Sequence, residues 1–203
     1  MRSAVVRSCP SSMRTEESRS GSPRLRKARV IRGRTLVFRD AAESDAEFIL
    51  SLRTNSENAR FLSATSVDIE SQLQWLRRYA ASDDQAYFIV ESGSRNIGTV
   101  RLYDARGDSF CWGSWILVSD APNSASIESA LMVYAYAVDE LDFRRSHFDV
   151  RKANKSVWRF HERFGAERVA ETEKDFFYQI SLEAIRKAMS RYRKYLPLPL
   201  AIE

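Results

Sequence analysis

The sequence predicts an α/β domain built around one stretch, Phe110–Ala166, which reads strand, loop, helix, strand, helix. Apolar and aromatic residues, with Trp112, Trp115 and Ile116 among them, make Ser109–Leu117 a strand. Ile127, Leu131, Tyr134, Ala135, Val138 and Leu141 then recur at offsets of three and four, which is one face of a helix. A helix of that length between two strands implies a parallel pair joined by a right-handed crossover. The loop before it, Asp120–Ser126, carries Pro122, Asn123 and serines. It lies at a helix N-terminus, where free N–H groups and the helix dipole suit an anion.

The other elements follow in order. Thr35–Arg39 reads as a first strand, and Glu43–Leu52 as a helix with Ser44 as its cap and Phe48, Ile49 and Leu52 facing inward. A polar stretch, Arg53–Phe61, comes next. Asp68 caps a helix running to about Ala81, with Ile69, Leu73, Leu76 and Ala80 on one face. Ala86–Ser92 and Asn96–Asp104 are strands joined by Gly93-Ser94, a hairpin signal. Ser146–Val150 is a short strand. Asn154 can cap a helix whose inner face is Val157, Phe160, His161 and Phe164, and Gly165 is its stop signal. Val169–Glu173 and Phe176–Ser181 form a last strand pair, and Leu182, Ile185, Met189, Tyr192 and Leu196 mark a final amphipathic helix.

Charge is unevenly spread. Residues 1–34 hold ten basic residues against two acidic ones, a net +8, so the rest of the +5 chain carries −3. The high isoelectric point therefore belongs to the N-terminal segment, and a nucleic-acid surface on the folded part loses its main support. Residues 1–34 are rich in Ser and Arg, poor in apolar residues and without periodicity, which predicts a disordered tail; residues 35–203 then form the domain. A start placed too far upstream, with the protein beginning near Met13 or Val30, is the other reading of that tail. Two cysteines, Cys9 and Cys111, make neither a disulfide framework nor a metal cluster, and no apolar run has the length of a membrane span. A cytoplasmic protein without a metal is expected.

The order of these elements, and the phrase Asn154-x-x-Val157-x-x-Phe160-His161-x-x-Phe164-Gly165, resemble the GNAT superfamily of acyl-CoA-dependent N-acyltransferases. Leu52-Arg53-x-Asn55, Tyr87–Val90 and Ile97–Val100 are similar to the bacterial enzymes that acetylate nucleotide-linked amino sugars. The resemblance spans about Thr35–Ser181. It implies a mixed, mostly antiparallel sheet, splayed in the middle and flanked by helices. It also implies an acetyl-CoA co-substrate and a small-molecule amine acceptor, with a homodimer as a further expectation. Two rival readings stay open: an acetyltransferase acting on protein N-termini or lysines, and a degenerate domain that binds without catalysis.

By the same resemblance, backbone N–H groups of Ile116, Leu117 and Val118 would polarise the thioester carbonyl, with Ser124, Ser126 and Asn154 along the donor. One departure stands out. The family's glycine-bearing turn is replaced by Asn123-Ser124-Ala125-Ser126-Ile127-Glu128, so that Glu128 stands where a pyrophosphate would rest and is expected to repel it. His161 occupies the place of the residue that protonates the leaving thiolate. A histidine titrating near neutrality suits that work, and a packed core histidine is the alternative. Alternation puts His147 and Asp149 on one strand face as candidate bases, because Cys111 stands where many members carry a glutamate. Arg53, Asn55 and Arg60 are candidate acceptor contacts, since a diphosphate attracts arginines. Trp115, with Trp112, could stack on a sugar or base or simply fill the core.

Overall fold

The computed structural model describes residues 22–55, 66–196 and 199–203. Within them nine strands form one open sheet in the order β7-β8-β6-β5-β4-β3-β2-β1-β9. The strands are β1 Val30–Arg32, β2 Leu36–Asp40, β3 Ala86–Ser92, β4 Arg95–Arg106, β5 Ser109–Leu117, β6 Arg145–Arg151, β7 Glu167–Glu171, β8 Asp175–Ser181 and β9 Ala201–Ile202. The helices are α1 Ala46–Thr54, α2 Ile69–Ala81, α3 Ala125–Ala135 (extended by a π turn, Tyr136–Glu140), α4 Lys155–Arg163 and α5 Leu182–Arg191.

The expected mixed sheet is present. Neighbouring strands are antiparallel except β5 and β6, the parallel pair joined through α3. That pair is registered only at Ser109↔Arg145 and Phe110↔Ser146. Beyond these two positions the strands part, and a wedge opens in the middle of the sheet. Gly93 has φ +62° in the turn between β3 and β4, and Gly165 has φ +94° past the end of α4, a conformation that suits glycine at both stops.

The two sheet faces carry separate cores. One is packed by α3, α5 and the N-terminal segment against Phe38, Phe88, Val100, Phe110 and Trp112. Its helix α3 is buried from Glu128 to Ala135, as its continuous apolar run from Ala130 requires. The other core is smaller and lies under α1 and α2, with Ile49, Leu76, Tyr79, Tyr87 and Ile89. The α2 face is Gln72, Leu76 and Tyr79, whereas Ile69 and Ala80, expected inside, are exposed. Asp68 caps α2 as expected, accepting from the N–H groups of Glu70 and Ser71. At α1 the expected Ser44 cap is not used. Asp45 precedes the helix instead, held by a two-pronged bond from Arg39 at 2.9 and 3.0 Å.

The boundary expected at residue 34 is corrected. Leu25, Ala28 and Ile31 are buried, and β1 pairs with both β2 and β9. Three apolar residues spaced at three sufficed to anchor an Arg-rich segment whose average composition reads as disordered. Lys27 Nζ reaches the carbonyls of Tyr79 (2.6 Å) and Ala80 (3.0 Å) at the end of α2, where a cation complements the helix dipole. The remainder of the expected tail, residues 1–21, lies outside the described residues. Among the described residues no helix is long and apolar enough to cross a membrane.

Candidate active site

The wedge between β5 and β6 is filled from the α4 side by His161. Its ring packs 4.2 Å from Phe148 on β6 and 5.2 Å from Trp112 on β5. The histidine is 5% exposed and its Nδ1 has no hydrogen-bond partner among the described residues. Burial pulls its pKa down to about 3, because an apolar surround penalises the imidazolium. The expectation of a histidine titrating near neutrality is therefore corrected: the ring is neutral at physiological pH and can act there only as a neutral hydrogen-bonding group.

The strand β5 bulges at Ser114, which takes φ +45°. Registers Arg101↔Gly113 and Thr99↔Ile116 leave Ser114 and Trp115 opposite Val100 alone. The extra residue resets the alternation and turns Trp115 onto the same face as Trp112. Its indole N–H donates to Ser129 Oγ on α3 (3.1 Å), and its ring lies 5.0 Å from Phe160. Trp115 thus borders the wedge, not the acceptor wall for which it was a candidate.

Past the bulge, the N–H of Val118 donates to the carbonyl of Ile97 at 2.9 Å. In an antiparallel ladder the N–H groups of alternate residues point the same way, so that of Ile116 also faces β4. Of the three expected backbone donors only Leu117 directs its N–H toward the wedge. Ser124 precedes α3 at its cap position but makes no side-chain cap bond, and Ser126 is half-buried in its first turn. Asn154 stands at the cap position of α4 without capping it; its Oδ1 accepts from Ser156 Oγ at 3.2 Å.

The repulsive role expected of Glu128 is overturned. Its carboxylate is 1% exposed and turned away from the loop, toward the start of β2. It accepts from the N–H of Thr35 (2.6 Å), the hydroxyl of Thr35 (2.5 Å) and the N–H of Leu36 (2.9 Å). Gly33 makes room: a Cβ there would lie 2.8 Å from Glu128 Oε1 and 2.6 Å from Met132 Sδ. The acid is a structural tie, and the mouth of the wedge is not charged by it.

On the face covered by α1 and α2 lies a cavity of about 300 Å³. Arg53, Arg78 and Arg101 line it with Trp75, Tyr87 and Gln72, and among the described residues no carboxylate does. Arg53 Nη1 lies 3.4 Å from Ser114 Oγ, at the bulge. Arg101 stacks between Trp75 and Tyr103, 5.2 and 4.8 Å from their ring centres, and its Nε has no partner among the described residues. Burial lowers its pKa from the ordinary value. Arg53 was legible in the sequence. Arg101 was missed, although its place between Thr99 and Tyr103 in an alternating strand puts it on their face. Asn55 ends α1 exposed, outside the cavity, and Arg60 lies outside the described residues.

A second cavity of about 360 Å³ adjoins on the part of this face that α1 and α2 leave open. His147 and Asp149 both line it, as their shared face predicts, together with Tyr103 and Cys111. Phe148 reaches it from the strand between them and touches His161 on its other side.

Residues 35–167 match the family of the acetyltransferase (GNAT) domain. Apo FdhC, described as a nucleotide-linked sugar GNAT, is similar at 35% identity over 87% of this chain and 99% of that one, with a TM-score of 0.74. Two more distant structures share the fold. A GCN5-related N-acetyltransferase from Brucella melitensis has 16% identity, covering 88% of this chain and 90% of that one, with a TM-score of 0.71. A variant of the spermidine N-acetyltransferase SpeG from Vibrio cholerae has 14% identity, covering 75% and 96%, with a TM-score of 0.65. No curated protein matches the chain. A sheet that parts between its two parallel strands, a histidine set in the gap and a family match over most of the chain agree: this protein belongs to the GNAT family and is an acetyltransferase.

Proposed function

We propose that the enzyme transfers an acetyl group from acetyl-CoA to the primary amine of a nucleotide-linked amino sugar, in the cytoplasm, for surface-glycan synthesis. The observation that carries this reading is the arginine cavity. Three guanidinium groups, with no carboxylate among the described lining residues, favour a diphosphate over a polyamine or a lysine side chain. Trp75 and Tyr87 add flat surface for a base or sugar ring.

The wedge fits the pantetheine end of the donor. It offers an unpartnered buried nitrogen, His161 Nδ1, and an inward N–H from Leu117. Ser124, Ser126 and Asn154 would border the arm at the rim. Acetyl-CoA supplies the acyl thioester when bound. The chain's own part is to polarise an oxygen with the Leu117 N–H and to exclude water with Trp112, Trp115 and Phe148. His161 offers a neutral hydrogen bond on the sulfur side. Cys111 is no covalent carrier, because burial pushes its thiol up to about 11 and the thiolate is scarce at neutral pH. Transfer is direct.

The test is CoA release with a panel of nucleotide-linked amino sugars, free amino sugars, polyamines and peptides. Nucleotide-linked amino sugars are expected to give the highest kcat/KM. Arg101→Met is expected to raise their KM by roughly 10-fold or more while changing kcat little, as loss of a charged contact in binding does. A preference for peptides or spermidine, or an Arg101→Met enzyme with unchanged KM, would remove the reading.

A further inference from the structure

The second cavity continues the arginine cavity away from the wedge. Along β4 and β5, Ser114 stands beside Arg53, then Arg101 pairs with Gly113, and then Tyr103 pairs with Cys111. Arg53, Ser114 and Arg101 line the first cavity, and Tyr103 and Cys111 line the second. The Arg101 guanidinium packs 4.8 Å from the centre of the Tyr103 ring, so the two cavities share a wall.

A nucleotide-linked amino sugar has a fixed order: amine-bearing ring, diphosphate, nucleoside. With the amine toward Leu117 and the diphosphate on the arginines, the nucleoside is left to run past Tyr103. The first cavity, about 300 Å³, is at the lower end of the roughly 300–1,000 Å³ that ligand sites span, and the second adds about 360 Å³. A diphosphate flanked by a sugar and a nucleoside needs both. We propose that the second cavity is a nucleoside subsite, in which Phe177 stacks on the base and Asp149 accepts from a hydroxyl of the pentose. This deepens the proposed function and rests on it.

The lining suits a flat, uncharged guest. Neighbouring rings of β8 are covered: Phe176 by Trp158 and by the Arg168 guanidinium at 3.5 Å, and Tyr178 by Phe148. Phe177 alternates onto the open face of the sheet and is 38% exposed. An uncovered ring in a groove is a platform for any base, because every base has a π-face. Asp149 is the partner of Phe177 across β6 and β8, and it is exposed and makes no ion pair among the described residues. A carboxylate accepts from a hydroxyl and repels a phosphate. The cavity's guanidinium groups, Arg106 and Arg145, are engaged by Asp104 and Asp108. The diphosphate therefore belongs on Arg101 and its neighbours, and the uncharged end of the molecule belongs here.

Calorimetry on the full chain compares inorganic pyrophosphate with UDP, dTDP, CDP, ADP and GDP. At least one nucleoside diphosphate is expected to bind about 10-fold or more tighter than pyrophosphate. Phe177→Ala should remove most of that margin and leave pyrophosphate affinity unchanged, Phe177→Tyr should keep it, and Asp149→Ala should reduce it several-fold. No margin in the wild type, or a margin that survives Phe177→Ala, overturns the proposal. A changed sedimentation coefficient in Phe177→Ala with the margin intact overturns it too, and gives the face to a second copy of the chain. The acetylation panel separates this proposal from the one beneath it. Nucleotide-linked amino sugars preferred, with kcat/KM unchanged in Phe177→Ala, defeats the subsite and leaves the proposed function standing. A margin that depends on Phe177, with another amine acetylated best, defeats the proposed acceptor and supports the subsite.

Discussion

Two single side chains changed meaning between the sequence and the folded chain. Glu128 sits in the first turn of the helix at the wedge, where a carboxylate suits the helix dipole and opposes a phosphate. Its partners, Thr35 and Leu36, are more than ninety residues away in sequence. Glu128→Ala is expected to leave the buried Leu36 N–H unpaired and to cost about 2–3 kcal/mol, which is roughly 4–12 °C in a chain of this size. Acetyl-CoA affinity, read by calorimetry on the folded protein, should not tighten. Glu128→Gln keeps an acceptor oxygen and should lose less.

His161 also makes stability depend on pH. The unfolded chain's imidazole takes a proton below about pH 6.5, whereas the folded one resists until about 3. Between those values the unfolded state holds more protons, so stability falls as pH falls, by up to about 1.4 kcal/mol per pH unit. In His161→Phe this contribution is absent. Denaturant melts of both proteins at pH 7, 6 and 5 should show a shallower decline for the variant, and parallel declines would contradict the buried neutral ring.

At the scale of elements, the β4–β5 pair sets the geometry of the wedge. Gly98 permits it. A Cβ there would lie 2.3 Å from the Ile116 carbonyl oxygen and 2.6 Å from Leu117 Cδ2. The first of these is backbone and cannot step aside. Gly98→Ala is expected to push β5 away just past the bulge, lowering kcat about 10-fold or more through misplacement of the Leu117 N–H. Circular dichroism should stay close to that of the wild type. Full activity in this variant would show that the strand has slack. Strict alternation separates Trp112 from Trp115, and one extra residue at Ser114 puts them on the same side.

For the whole molecule, the segment before β1 is part of the domain. Leu25 and Ala28 fill the main core, and Lys27 ties the end of α2. The Tyr136 hydroxyl donates to the Arg26 carbonyl at 2.8 Å. A chain starting at Val30 should melt at least about 5 °C below one starting at Ser22, since a buried leucine alone contributes about 1.5–3 kcal/mol. Equal melting temperatures would mean that this packing contributes nothing.

The sequence by itself determined neither β1 nor β9, but it did determine the elements from β2 to α5, their order and the parallel pair around which the wedge opens. Those depend on local periodicity, on turn residues such as Gly93 and Gly165, and on a helix long enough to cross over, all of which are short-range. It also put His147 and Asp149 on one strand face and His161 on the inner face of its helix, because strand alternation and helical spacing fix the face a residue takes. Only the tertiary structure decided where Glu128 points, which N–H of β5 is left for the wedge, which side Trp115 faces and where the domain begins. Each of those depends on a partner far along the chain or on a one-residue bulge. A buried polar group takes whatever distant donor burial brings to it, and local spacing carries no record of that partner.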